Sequence, residues 1–457
     1  MTRGKDERRS RAVPSSRWGR LYHLGRATGD LALGIGWNGL RELSSGEEGQ
    51  GRIELSPAHA RRITERLGRM RGAVMKMGQL MSMDGTDILA PEVAEIMGAL
   101  RHEADPMPLS QLDSVLRREL GKGWLKRFRE FDFTPIAAAS IGQVHRAVAA
   151  DGRELAMKIQ FPGVRESIDS DLDNLGFVFR HGGIMPRGLR IENLLDEARQ
   201  QLHREADYEA EADALEAYGR ALGDDPEIVL PGVHRDLSTP RVLAMDYVHG
   251  TPIDQLADRG GEAAALRDHA ASLLSRLALR ELFEFRLVQT DPNFSNFLYD
   301  AGQGRVVLLD FGATHSVRPE LVEIYRRLGR AARDRDRDSL EACARELGYL
   351  EPEASAEQVG SLLELLEMTS EPLRHPGAYD FGASDLFERV YHRGRTMFFS
   401  DRFAGTPASD TLFLHRKFMG IFMLCRRLQA RVDLQGLIDP YLTAAPGAAA
   451  PGTTAPG

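Results

Sequence analysis

Asp291-Pro292-Asn293-Phe294-Ser295-Asn296, with Asp310-Phe311-Gly312 a short distance on, is the stretch whose reading decides the fold of this 457-residue chain. Transfer of a phosphoryl group leaves a protein little covalent chemistry to do. It needs oxygen ligands for magnesium against the phosphates and a carboxylate facing the acceptor. An aspartate with an asparagine five residues later, then a second aspartate beyond a short strand pair, supplies that set. Two short apolar runs flank Asp300–Gly304 and provide the strand pair. Each fragment alone is weak, since Asp291-Pro292 serves equally well as a turn and Asp310 as a cap or turn residue. The ordered set carries the reading.

Working outward, Ser140–Val148 and Arg153–Gln160 read as strands joined at Asp151-Gly152, a hairpin signal. Lys158 falls in the second strand, within Ala156-Met157-Lys158-Ile159. A lysine in an apolar strand is costly to bury unless paired, although taken alone it also fits an edge strand. An acidic helix predicted over Ile191–Arg220 offers Glu205, Asp207, Glu209, Glu211 and Asp213 as partners. On one continuous helix Asp207 and Glu211 share a side, with Glu205 about 120° round from Glu211, so one helix would meet two lysines. A glycine-rich phosphate loop is absent. Ala137-Ala138-Ala139-Ser140-Ile141-Gly142-Gln143 stands in its place, and its Cβ atoms leave fewer positive-φ options and a stiffer grip. Gln289 occupies the place two before Asp291, where a histidine is usual.

Composition bounds the rest. Hydrophobic residues are 42% and charged residues 28%, as in a soluble globular chain, and a net charge of −8 argues against general nucleic-acid binding. Two cysteines, Cys343 and Cys425, are too few for a disulfide framework and fit buried small hydrophobes. No stretch reaches the roughly 18 apolar residues that span a bilayer. Helices are predicted from Ser56 to Met83, over Pro91–Leu100 and Leu109–Leu120, and over Glu262–Leu287. A short strand is predicted at Pro240–Val248, and mostly helix from Arg318 to about Thr443.

Four stretches then share one pattern: Lys76-Met77-Gly78-Gln79, a K-x-G-Q motif; the alanine-rich loop; Glu205-Ala206-Asp207, an E-x-D motif followed by Tyr208 and Glu211; and Gln289-Thr290-Asp291-Pro292-Asn293-Phe294-Ser295-Asn296-Phe297. With Leu414-His415-Arg416-Lys417, they resemble the UbiB family of atypical kinases, also called the aarF-domain or ADCK family, in its coenzyme Q branch. The likeness runs from about Val13 to Val432. It implies an α+β, bilobal protein-kinase-like fold with a small N-lobe sheet, a mostly helical C-lobe and a helical K-x-G-Q extension. The expected divisions are a basic flexible arm (1–26), the extension (27–125), the N-lobe (126–248), the C-lobe (249–443) and a disordered tail (444–457).

Carried over residue by residue, the resemblance makes Lys158 and Glu211 the nucleotide-positioning ion pair, Asp291 the catalytic or metal-facing carboxylate, and Asn296 and Asp310 the metal ligands. Ala137, Ala138, Ala139, Ser140, Gln143, Tyr247 and Val248 are expected along the nucleotide. Lys76 and Gln79 are expected over the site, with Lys76 near Glu205 and Asp207. The implied cofactors are ATP, or ADP, and Mg2+. In this family the extension covers the groove where a protein substrate would lie. That argues for an ATPase or small-molecule kinase supporting ubiquinone synthesis, acting on or activated by lipid or small phenolic intermediates. A nucleotide-switched scaffold is the alternative, and a protein kinase a weaker one. The implied partners are anionic membrane lipid and quinone-pathway intermediates or enzymes, with a homodimer left open and no nucleic acid. Trp18, Tyr22 and Trp37 in the basic segment Arg17–Arg41 suit a membrane interface. The expected location is bacterial cytoplasm, peripheral on the inner membrane, without a transmembrane helix.

Overall fold

The computed structural model describes residues 72, 76–77, 106–181, 191–258, 260, 263–291, 293–400 and 409–443. The basic arm, the membrane-suited segment, Gln79, most of the first two predicted helices and the tail lie outside them; Gly72, Lys76 and Met77 are helical. The described residues fall into two compact units. One takes those up to Asp213 together with Gly232–Tyr247; the other takes Ala214–Pro231 and everything from Val248 onward.

The first unit begins with α1 (Leu109–Leu120), which buries Leu112, Val115, Leu116 and Leu120 at helical spacing. Strands β1 (Phe128–Phe131), β2 (Ala137–Ala138), β3 (Gly142–Ala149) and β4 (Glu154–Gln160) follow. The β3–β4 turn closes as Asp151-Gly152 predicts, with Gly152 at φ +99°, a conformation that favours glycine. Helices α2 (Val164–His181) and α3 (Ile191–Glu205) come next, then α4 (Tyr208–Leu222), within which the division between units falls. The sheet runs β1-β3-β4-β6, with β2 beside β3 and β6 formed by Val242–Asp246. Lys158 faces Val144 on one side and Leu243 on the other, so it sits on an interior strand and the edge-strand alternative falls away.

The single acidic helix expected over Ile191–Arg220 is two helices. The Ala206 N–H closes α3 on Leu202 O at 2.9 Å, and Asp207 then starts α4. Its carboxylate accepts the Ala210 N–H at 3.1 Å and its carbonyl accepts the Glu211 N–H at 3.0 Å. A short carboxylate competes well for free N–H groups at a helix start, and at Asp207 capping outweighs continuation. Glu205 therefore ends one helix while Glu211 lies in the first turn of the next.

In the second unit β5 (Ile228–Val229) joins a sheet of order β5-β10-β9-β7, in which β7 is Thr251–Pro252, β9 Phe297–Asp300 and β10 Arg305–Leu308. Helix α5 (Ala264–Arg280) stops short of the predicted Leu287. It passes into a π-helical turn, Glu281–Phe285, which ends at Arg286 with φ 52°; β8 (Leu287–Gln289) starts at the next residue and pairs with β11 (Thr314–Ser316). Helices then dominate: α6 (Pro319–Asp334), α7 (Arg337–Glu346), α8 (Ala356–Thr369), α9 (Glu371–Arg374), α10 (Leu386–Ser400), α11 (Ser409–Arg427) and α12 (Leu434–Thr443). Their core gathers Leu279, Leu282, Phe283, Leu321, Leu347 and Leu414. This is a kinase-like α+β fold.

Candidate functional site

In the first unit the β4 lysine finds a bidentate partner. Lys158 Nζ lies 2.7 Å and 3.0 Å from the two carboxylate oxygens of Glu211, and both side chains are buried. The amine also lies 5.4 Å from the centre of the Tyr208 ring, on the same turn of α4. Two hydrogen bonds to one carboxylate, with an aromatic face alongside, offset part of the cost of burying the amine.

The alanine-rich segment is a tight hairpin. Ala137 pairs with Val144 and Ala138 with Gln143, and the Ala139 N–H reaches Gly142 O at 2.9 Å. Ala137 and Ala138 are exposed, while Gln143 is buried and used at both ends by the chain. Its carbonyl accepts the Met107 N–H at 2.8 Å and its amide meets His145 at 2.7 Å. His145 in turn meets Asp132 O at 2.7 Å, and burial holds its pKa below the usual histidine value. A side chain on Gly142 would stand 2.4 Å from Ile159 O, so the turn needs glycine at that close approach.

Lys76 is buried and ion-paired with Glu205, whose second oxygen accepts the Ser140 hydroxyl. The K-x-G-Q lysine, the E-x-D glutamate and the hairpin serine thus form one chain of contacts. Asp207 lies 3.7 Å from Arg165 and caps α4. Tyr247 follows β6, its N–H on Glu154 O at 2.9 Å and its ring under Arg146. Val248, half-buried, is the next residue.

In the second unit Asp291 directly follows Thr290, which binds Ala313 O through both its N–H (2.9 Å) and its hydroxyl (2.8 Å). The Asn293 carboxamide caps the turn Phe294–Asn296 through the Ser295 N–H at 3.2 Å. Asn296 donates its side-chain amide to Asp291 Oδ2 at 2.9 Å, and its backbone carbonyl accepts the Leu309 N–H, one residue before Asp310. Asp310 Oδ1 accepts the Gly312 N–H at 3.0 Å. Gln289 ties the two loops together: one amide nitrogen donates to Asp291 O at 3.1 Å and to Asp310 O at 3.3 Å. Asp291, Asn296 and Asp310 are thus brought side by side, and Lys158, Glu211, Tyr208, Ser140, Glu205 and Lys76 form a second group in the other unit.

Sequence reasoning passes over Glu281. It is fully buried, accepts the Tyr218 hydroxyl at 2.7 Å and lies 2.6 Å from Lys417 Nζ. A signal was present. Ala270, Leu274, Leu277 and Ala278 precede Glu281 on the buried stripe of its helix, and Leu414, Ile421 and Leu424 flank Lys417 on another. A charge on an apolar stripe asks for a partner.

A buried strand lysine held by a helix glutamate, with an aspartate–asparagine loop beside an Asp-Phe-Gly loop, defines a protein-kinase-like phosphotransferase. The model of the ABC1 atypical kinase-like domain matches residues 99–344. The mitochondrial atypical kinase COQ8 of Schizosaccharomyces pombe is 37% identical over 436 residues, covering 95% of this chain and 70% of that one. COQ8B of Rattus norvegicus is 38% identical over 95% of this chain and 82% of its own length. Among solved structures, that of Rv3197 from Mycobacterium tuberculosis, described as a complex with erythromycin, superposes with a TM-score of 0.59 at 27% identity, over 86% of this chain and 97% of that one. The chain belongs to the ABC1 family of atypical kinases, the UbiB or ADCK family of the sequence resemblance. The likeness to COQ8 supports a role in ubiquinone biosynthesis, and the family implies nucleotide binding. These two COQ8 relatives are mitochondrial, whereas the sequence reading favours a bacterial cytoplasm. Among the described residues no helix is long and apolar enough to cross a membrane.

Proposed function

We propose that this chain binds Mg·ATP and turns it over in support of isoprenoid-quinone synthesis, acting on, or activated by, a lipid or small phenolic intermediate. The observation that carries the reading is the tether of Asp291, Asn296 and Asp310 into one group of hard oxygen donors by Gln289 and by the Asn296–Asp291 hydrogen bond.

Magnesium is held by one or two carboxylates together with phosphate oxygens and water, seldom by a full protein cage. The donor set fits that habit. Among the described residues no group of three or more His, Cys, Asp or Glu is placed to hold a metal ion by itself, while Asp310 offers a carboxylate and Asn296 a carbonyl. With its amide turned to Asp291, the carbonyl oxygen is the end of Asn296 suited to the cation. When bound, the metal would neutralise charge on the phosphoryl group being transferred. Lys158, fixed by Glu211, orients the phosphates, and Asp291 orients the attacking hydroxyl or water through the carboxylate that Asn296 steadies. The Lys76–Glu205–Ser140 contacts hold the alanine-rich hairpin against the extension, which supports ATP hydrolysis or small-molecule transfer over phosphorylation of a protein.

The test is the Asp310→Asn variant, assayed for ATP turnover with and without vesicles containing anionic lipid and with a phenol present. Turnover should fall at least 100-fold while the melting temperature stays within a few degrees. Full turnover by that variant would defeat the assignment. Tight Mg2+-dependent nucleotide binding with no turnover by the wild type in any condition would leave the scaffold reading in its place.

A further inference from the structure

The second unit carries a buried polar assembly that the proposed chemistry does not use. Glu281 is sealed from solvent, as are Tyr218 and, nearly so, Lys417 and Gln289. Glu281 sits on the π-helical turn Glu281–Phe285, a rare wide turn that is frequent at functional sites. It accepts the Tyr218 hydroxyl at 2.7 Å, is ion-paired with the Lys417 amine at 2.6 Å, and is faced by the backbone N–H of Gln289. Burial pushes its carboxyl pKa up, and Lys417 is the first of the groups that oppose the shift.

What these donors touch next is the point. The residue whose N–H faces Glu281 is the residue whose side chain binds Asp291 O and Asp310 O. The tyrosine whose hydroxyl ends on Glu281 packs its ring edge-on against Phe311 of Asp310-Phe311-Gly312, with centroids 4.9 Å apart. One carboxylate therefore fixes Gln289, which spans the two reacting loops, and Tyr218, which braces the second of them. A buried ion pair is weak ground for stability, because two apolar side chains of the same volume often do as well. Specific placement of neighbours is the use that such a pair can have and an apolar pair cannot.

We propose that Glu281, paired with Lys417, is a positioning residue for phosphoryl transfer: through the Gln289 amide and the Tyr218 ring it sets the relative placement of the loops bearing Asp291 and Asp310. The catalytic meaning rests on the proposed function; the placement itself does not.

The experiment compares two double variants of the full chain that lose the same pair of charges. Glu281→Leu with Lys417→Met removes the acceptor for Gln289, whereas Glu281→Gln with Lys417→Met keeps an oxygen there. The Leu/Met chain should melt within a few degrees of wild type yet lose at least 30-fold in kcat, with KM for ATP within threefold. The Gln/Met chain should recover to within threefold of wild type. Backbone amides of 287–296 and 310–314 should exchange at least tenfold faster in the Leu/Met chain, with the β3 and β4 amides unchanged. Equal kcat and equal exchange in the two double variants would overturn the proposal. Should the Leu/Met chain not fold, Gln289→Leu decides: a loss of at least tenfold in kcat at constant KM is expected, and no loss overturns the role. A wild-type chain that hydrolyses no ATP removes the proposed function alone, because the exchange comparison still decides the placement.

Discussion

Lys158 with Glu211 in the first unit and Lys417 with Glu281 in the second are built from the same two side chains at nearly the same separation, 2.7 Å and 2.6 Å. They differ in access. The Lys158 side chain retains 10% of its exposure, against 2% for Lys417, and Glu281 retains none. They differ too in what surrounds the carboxylate. Glu211 gives both oxygens to its lysine, while Glu281 divides its own among an amine, a phenol and a backbone N–H. A partly exposed amine can pass from its glutamate to a ligand's phosphates. A sealed one acts only on the protein, so its effect must travel through the groups its partner holds.

The sharpest way to break this contrast is to remove the first amine. In Lys158→Met, Glu211 stays buried without that partner, which costs about 3 kcal/mol in comparable sites. ATP turnover should fall at least 100-fold, and nucleotide affinity, measured by titration calorimetry, at least tenfold. The double variants at 281 and 417 should leave the KM for ATP nearly unmoved. If Lys158→Met binds nucleotide as tightly as wild type, the two pairs are not divided into ligand-facing and protein-facing, and the contrast fails.

A second sharpening comes from His415, two residues before Lys417. Both are bases on α11, but Lys417 is buried with Glu281, while His415 keeps an exposed edge and desolvation by the neighbours packed on it lowers its imidazole to about 4. It keeps company with Tyr349, whose ring stacks on it and whose hydroxyl meets it. With a folded-state pKa below the unfolded value near 6.5, the unfolded chain binds the extra proton first. Stability is then full above pH 6.5 and is lost as pH falls toward 4, by much less than a fully buried imidazole would lose, because solvent screens the exposed edge. His415→Gln should remove much of that loss. Urea midpoints of the two chains, followed from pH 7 to pH 4, should converge as the pH falls; parallel curves would show that His415 protonates as freely in the folded chain.

The same contrast separates what local pattern can reveal from what it cannot. Helix α1 is read residue for residue from its spacing, and the β3–β4 hairpin from Asp151-Gly152, because both are settled by neighbours within a few positions. Lys158 announces itself by standing charged in an apolar strand, and the motif resemblance supplies Glu211. The union of Glu281 with Lys417 joins two stripes far apart in the chain, and periodicity shows that each wants a partner without saying which. The π-helical turn that aims Glu281 has no sequence signature that distinguishes it from the end of α5. Tyr218 belongs to a helix whose acidic residues draw the eye elsewhere.

The boundary between α3 and α4 is a subtler miss, and it leads to the smallest effect. Glu205-Ala206-Asp207 reads as a run of helical carboxylates, yet Asp207 faces the N–H of Ala210 as a cap, with Arg165 at 3.7 Å. Its side chain is more than a third exposed, so the arginine contributes little and the cap is the larger part. Asp207→Ala should therefore cost about 1 kcal/mol of stability, the usual value of an N-cap. Asp207→Ser, which can still cap but has no charge, should recover most of it. Because Glu211 lies in the turn that Asp207 starts, fraying there loosens the carboxylate that fixes Lys158. Turnover should fall by only a few fold, in step with the exchange of the 208–213 amides. A stability loss in the serine variant equal to that in the alanine variant would assign Asp207 to its charge, and the helix break would then need another cause.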